Sequence, residues 1–167
     1  MSTEYVFKCP ECDYQIDISL GGYFLFPKVY QETVEKAKAG EYGETVMEFL
    51  DAFPEGRIDA ETALYICQEC GNMEVLPELS MYLPKGKLPE KDKNIRWSVV
   101  FPFKGESYVT HRDLENDYEL FEEYKHKCGK CQRNYTMILR DEILSSGLIK
   151  CPQCKVDLEL IEFGRGD

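Results

Sequence analysis

Three features of this sequence predict an α+β fold rich in β-structure. They are four Cys-x-x-Cys pairs, short runs of alternating apolar and polar residues beside each pair, and one longer stretch of helical period between the first pair and the second. The pairs are Cys9–Cys12, Cys67–Cys70, Cys128–Cys131 and Cys151–Cys154, and together they use all eight cysteines. Two residues between cysteines form a tight turn that aims both sulfurs at one point. Two such turns supply four sulfurs at about 2.3 Å from a zinc ion. The 19 residues between Cys131 and Cys151 are the spacing of a structural zinc ribbon. The predicted architecture is therefore two tandem zinc-ribbon-like modules, the first carrying a helical insertion.

Each element follows from its residues. Glu4 to Lys8 is a short strand leading into Cys9, and after the turn Tyr14, Ile16, Ile18 and Leu20 alternate with polar residues as a second strand. Gly21-Gly22 ends it, and the apolar run Tyr23–Pro27 is expected to pack under the helical insertion. A helix is expected from about Pro27 to Ala39, with Tyr30, Val34 and Ala37 inward and Gly40 able to take a left-handed cap. A second helix, about Glu44 to Ala52, offers Val46, Phe49, Leu50 and Phe53 to a core, and Pro54-Glu55-Gly56 stops it. These helices make up an insertion at about 28–56. Thr62 to Ile66 is a strand into Cys67, and Met73 to Leu83 leaves as another. The polar stretch 84–94, with two prolines and one glycine, is the expected linker. It separates a module at 1–83 from one at 95–167.

In the second module Ile95 to Phe101 alternates as a strand, with Trp97, Val99 and Phe101 on one face. Asp113 to Tyr124 reads as a helical turn followed by a strand from about Leu120 into Cys128. Tyr135 to Leu139 is a strand, Asp141 to Ser146 a short helix capped by Gly147, and Val156 to Phe163 the last strand. Lys8-Cys-Pro-Glu-Cys echoes Lys127-Cys-Gly-Lys-Cys, and Ile66-Cys-Gln-Glu-Cys echoes Lys150-Cys-Pro-Gln-Cys. This internal echo suggests how four cysteine turns share two metals. Sequential pairing encloses 54 and 19 residues, against 138 and 57 for nested pairing and 115 and 80 for interleaved. Closure entropy favours the sequential choice by only about 2 kcal/mol. The expected sites are Cys9, Cys12, Cys67 and Cys70 on one zinc, and Cys128, Cys131, Cys151 and Cys154 on a second. Four cysteine sulfurs would also hold iron, which is the alternative metal.

Cys9-Pro-Glu-Cys12 and Cys67-Gln-Glu-Cys70-Gly71, separated by a long helical insertion, resemble the prokaryotic CpXC-type domain over about residues 4–83. That is a small zinc-ribbon-like family without an established function, and Gln68 stands where its pattern carries proline. The resemblance implies metal ligation at Cys9, Cys12, Cys67 and Cys70 and no catalytic residue. Residues 95–167 look only like a generic zinc ribbon.

Charge and motifs narrow the function classes. The chain carries −11 at pH 7; residues 1–94 contribute −9 from 9 Lys/Arg and 18 Asp/Glu, and residues 95–167 contribute −2 from 11 and 13. Such a surface repels phosphate backbones, so nucleic acid is not an expected partner. Lys125, Lys127, Lys130 and Arg133 cluster round the third cysteine turn and carry the competing reading, a nucleic-acid-associated factor. The N-terminal segment shows neither the basic nor the apolar stretch of a signal peptide, and no apolar run reaches membrane-spanning length. A reducing cytoplasm is expected, where such cysteines bind metal rather than form disulfides. A thiol-redox or iron electron-transfer role is a third reading.

His126, two residues before Cys128, is read as a half-exposed strand residue rather than a ligand, and His111 as a surface loop residue. The alternating Asp113, Glu115, Asp117 and Glu119 lack the glycine of a calcium loop and read as a solvated face. No Ser/His/Asp set, phosphate loop or His-Glu-x-x-His motif is present. The expectation is a non-catalytic zinc protein that binds another protein, using aromatics around Tyr23–Tyr30 or Trp97 as anchors.

Overall fold

A computed structural model of the chain describes residues 2–21, 26–87, 108–145 and 147–166. They form three helices and nine strands in two antiparallel sheets, the α+β, β-rich class that the sequence predicts. The expected strand 95–101, with Trp97, lies outside the described residues, as do 88–94 of the expected linker, Gly22, and 23–25 of the apolar run.

The chain divides into two compact units, and neither is 1–83 or 95–167. Unit 1 gathers residues 1–23, 62–77 and 125–167, and unit 2 gathers 24–61 and 78–124. Two excursions of the chain, not one, build the second unit.

Unit 1 holds a six-stranded sheet. Strands β1 (Ser2–Lys8) and β2 (Gln15–Gly21) form one hairpin, with Lys8 opposite Gln15. Strands β4 (Thr62–Ile66) and β5 (Met73–Pro77) form another, with Ile66 opposite Met73. The sheet runs β5-β4-β2-β1-β9, where β9 is Glu159–Gly166, and β8 (Thr136–Ile138) lies against β4. Alternation does what period two requires. On β1 and β2 the buried Tyr5, Phe7, Ile18 and Leu20 meet Leu64 of β4 in one core, which Ile138, Ile143 and Ile149 complete. Where a short helix is expected over 141–146, the described residues 141–145 are instead a run of turns, held by Glu142 N–H to Leu139 C=O and Ser145 N–H to Glu142 C=O.

Unit 2 contains α1 (Phe26–Lys38), α2 (Glu44–Ala52) and a three-stranded sheet in the order β3-β6-β7, comprising Arg57–Ile58, Met81–Pro84 and Tyr118–Glu122. Helix α1 ends as expected: Gly40 takes φ +82, and Glu41 N–H reaches back to Lys36 C=O. The expected inner residues Val46, Phe49 and Leu50 of α2 are buried. Phe26 and Tyr30 are also buried, at 4% and 3% exposure, so these two aromatics are core and not surface anchors. A third helix, α3 (His111–Asp117), opens on a capping box in which the Thr110 side chain accepts from Asp113 N–H and the Asp113 carboxylate accepts from Thr110 N–H.

The single strand expected over 73–83 is broken in two, and the halves belong to different sheets. The break is at Leu79, which is fully buried in the left-handed region at φ +65. Alternation along Met73–Leu83 cannot reveal it, because the apolar pattern continues on both sides.

Candidate metal centres

All four Cys-x-x-Cys pairs make the same local structure. Each first cysteine closes a six-residue hairpin turn by donating its N–H to the carbonyl five residues on. The bonds are Cys9 to Tyr14, Cys67 to Asn72, Cys128 to Arg133 and Cys151 to Val156, at 2.8–2.9 Å. In three turns the residue after the second cysteine is left-handed: Gly71 at φ +74, Gln132 at +61 and Lys155 at +63. Within the turns, backbone N–H groups point at sulfur, from Glu11 to Cys9, Lys130 to Cys128 and Cys154 to Cys151, each at 3.4 Å.

The turns combine two by two. Cys9, Cys12, Cys151 and Cys154 form one tetrad, and Cys67, Cys70, Cys128 and Cys131 the other. This is the nested pairing, and it corrects both the sequential pairing expected from spacing and the ligand set implied by the resemblance. Sulfur–sulfur distances between turns are 3.7 Å for Cys12–Cys151, 3.4 Å for Cys67–Cys131 and 3.6 Å for Cys70–Cys128. These are far from a disulfide bond and close to the edge, about 3.8 Å, of a tetrahedron of sulfurs at 2.3 Å from zinc. The donor set, four thiols converging with amide support, therefore fits a metal ion at each tetrad.

Strand pairing explains why the nested arrangement prevails. Strand β9 runs antiparallel to β1 along Ser2–Lys8, which brings the fourth turn beside the first. Strand β8 pairs with β4 through Leu64–Ile138, Tyr65–Met137 and Ile66–Thr136, which brings the third turn beside the second. Each ladder hydrogen bond contributes about 0.5–1.5 kcal/mol net, so even a few outweigh about 2 kcal/mol of closure entropy.

The thiols within a tetrad are electrostatically unequal. At Cys128 burial opposes the thiolate, but the amides of Cys131 and Lys130 outweigh it, bringing the group down to about 6. Cys151 is brought down to about 7 in the same way, by the amides of Cys154 and Gln153 acting against burial. Cys131, facing Cys67, and Cys154, facing Cys12, are both pushed up to about 12. Metal and protons compete for these sulfurs. Thiols with lowered values lose their advantage as pH falls through those values, so acid should expel the metal. Both the Cys67/Cys70/Cys128/Cys131 site and the Cys9/Cys12/Cys151/Cys154 site should empty as acid protonates these thiols. A metal-indicating dye can follow both releases, with Cys128→Ser protein reporting the Cys9/Cys12/Cys151/Cys154 site alone.

The surroundings of Cys128 were not legible as part of a site. Tyr135 donates to the Glu74 carboxylate and accepts from the Asn72 side chain at 2.6 Å, so β5 and the second turn brace a ring that lies in one buried cluster with Cys128. The one available signal is that Tyr135 lies seven residues beyond Cys128, just past its turn. His126 is buried rather than half-exposed; its Nε2 lies 2.7 Å from Pro77 C=O and its ring packs on Tyr65 at 4.6 Å, so it belongs to neither tetrad. Lys125, Lys127, Lys130 and Arg133 are exposed around the third turn, with the Lys127 ammonium bonded to Asn134 at 2.6 Å.

Among the described residues no helix is long and apolar enough to cross a membrane. The geometry gives the chain two four-cysteine clusters that could each hold a metal ion, and comparison with known families, characterised proteins and solved structures found no match.

Proposed function

We propose that the protein is a non-catalytic, cytoplasmic zinc protein whose two ions are structural and whose task is to bind another protein. Closure of the tetrads supports the structural role, since four cysteines occupy all four tetrahedral positions and leave none for water or substrate. The CpXC-type reading is retained only for the turn chemistry of Cys9–Cys12 and Cys67–Cys70, which lie in different centres.

The observation that carries the binding role is an apolar strip on the edge of the unit 1 sheet. Among the described residues strand β9 is the last strand in the sheet order and is paired on one side by β1. A bulge at Ile161 puts Leu160 opposite Phe7 and, three residues on, Phe163 opposite Tyr5. Both are exposed, at 41% and 48%, and Leu144, at 58%, borders the hollow lined by Leu160 and the one lined by Phe163. An exposed apolar edge is a template for strand addition. The occupant that fits is an extended, apolar segment of a partner protein, held by main-chain hydrogen bonds along β9.

Nucleic-acid binding is the competing reading. Unit 1 has 9 Lys/Arg and 12 Asp/Glu, so it is −3 before either tetrathiolate centre adds its own −2. The test is affinity capture from the source cells with zinc-loaded wild type, the L160K/F163K double variant and the K127A/K130A/R133A triple variant. Proteins retained by the wild type should be lost with the edge variant and kept with the basic one. Recovery of nucleic acid that is lost with the basic variant would overturn the reading.

A further inference from the structure

Unit 2 contains a group of side chains that the two cysteine centres do not use. Asp59 follows β3, Glu78 lies just before the Leu79 turn that leads into β6, and His111 opens α3. Three separate segments thus converge, and one donor atom from each residue lies within 4.8 Å of the other two. His111 Nδ1 is 2.6 Å from Asp59 Oδ2 and 3.9 Å from Glu78 Oε2. Two donors bound to one ion at about 2.1 Å lie roughly 3–4 Å apart, so a small adjustment of the imidazole admits a cation between the three.

We propose that Asp59, Glu78 and His111 form a third metal site, one that takes a divalent transition cation on one nitrogen and two oxygens.

The chemistry differs from that of the cysteine tetrads: imidazole and carboxylate select a harder ion than four thiolates do. Several features of the place favour a cation. Asp59 is 1% exposed, and its other oxygen accepts from Glu61 N–H at 2.9 Å, so the carboxylate is fixed before any metal arrives. The far nitrogen of the imidazole, Nε2, is 3.4 Å from Glu115 Oε1, one helical turn along α3. A metal-bound histidine ordinarily donates its second N–H to such a carboxylate, which fixes the ring and raises its basicity. The Glu61 carboxylate accepts from His111 N–H at 2.9 Å and places a fourth acidic group against the same histidine.

Negative charge is therefore in excess here. Burial first, then the neighbouring Asp59 charge, holds Glu78 up to about 8, and the bond to Asp59 holds His111 up to about 9. Such a set of groups is strained toward protonation, and a divalent ion relieves it by replacing protons. Unit 2 as a whole carries 11 Lys/Arg and 19 Asp/Glu, a net −8, which draws cations towards it. His111 is 45% exposed and Glu78 17%, so an ion can enter from solvent and keep water on its remaining positions.

The probe is Mn2+, which does not displace zinc from thiolates. Full-length protein with both cysteine centres loaded is titrated with Mn2+, and the free ion is followed by electron paramagnetic resonance. One Mn2+ should bind per chain. E78Q and H111Q should weaken it by at least about tenfold and E115Q by about 10- to 100-fold, while E32Q, at an exposed glutamate on α1, should leave it unchanged. The wild type supplies a test that needs no variant: its His111 ring signals in the proton spectrum should broaden away at substoichiometric Mn2+. Absence of a stoichiometric site, equal binding by E78Q and H111Q, or an unbroadened His111 would each overturn the proposal.

Discussion

Removing the metal should unfold unit 1. Elemental analysis of protein purified without added metal should first show about two zinc ions per chain. A chelator strong enough to strip both should then abolish the dispersed β-sheet amide signals of 2–21, 62–77 and 125–166. The expected loss is large because apparent binding energies of structural zinc in zinc-finger peptides, about 10–16 kcal/mol per ion, match or exceed the whole net stability of a typical domain. The core does not offset it. Cys9 and Cys151 are themselves members of the main unit 1 core, and Cys67 and Cys128 form a second cluster with Tyr65 and Tyr135. Four cysteines left without an ion would keep the lowered-value thiolates of Cys128 and Cys151 buried and uncompensated inside that packing. Retention of the sheet after both metals are gone would mean that strand pairing alone holds the unit.

The second large effect separates the nested from the sequential pairing by counting. Cys151→Ser should remove one metal, and adding Cys9→Ser should remove no more, because both residues serve the same ion. Combining Cys151→Ser with Cys128→Ser should remove both metals and unfold unit 1 as completely as chelation does. Sequential sharing requires the opposite outcome for both double variants. Total zinc measured against protein concentration decides between them.

The turns, and the strands that flank them to within a few residues, were readable because each depends on local chemistry. Cys-x-x-Cys followed by alternating residues specifies a hairpin whatever lies elsewhere in the chain. Thr62–Ile66 and Glu44–Ala52 were found where their patterns placed them. What the chain kept hidden was non-local. Nothing in Glu159–Gly166 announces that its neighbour is Ser2–Lys8, at the far end of the chain, and the only ranking available from spacing was a weak entropic one. The same blindness affects the division into units, which follows from those partners rather than from the polar stretch at 84–94. Leu79 is a different kind of failure, since a buried leucine at φ +65 interrupts a strand that composition would continue. His111 looked like a loop residue because its partners, Asp59 and Glu78, are 52 and 33 positions away.

The central claim is that the first and fourth turns share one metal and the second and third share the other. Replacing zinc with 113Cd and recording proton–cadmium correlation spectra reads the pairing directly, since each cadmium couples only to the β-protons of the cysteines bound to it. The structure predicts two cadmium signals, one correlated with Cys9, Cys12, Cys151 and Cys154 and the other with Cys67, Cys70, Cys128 and Cys131. A cadmium signal correlated with Cys9, Cys12, Cys67 and Cys70 together would contradict it.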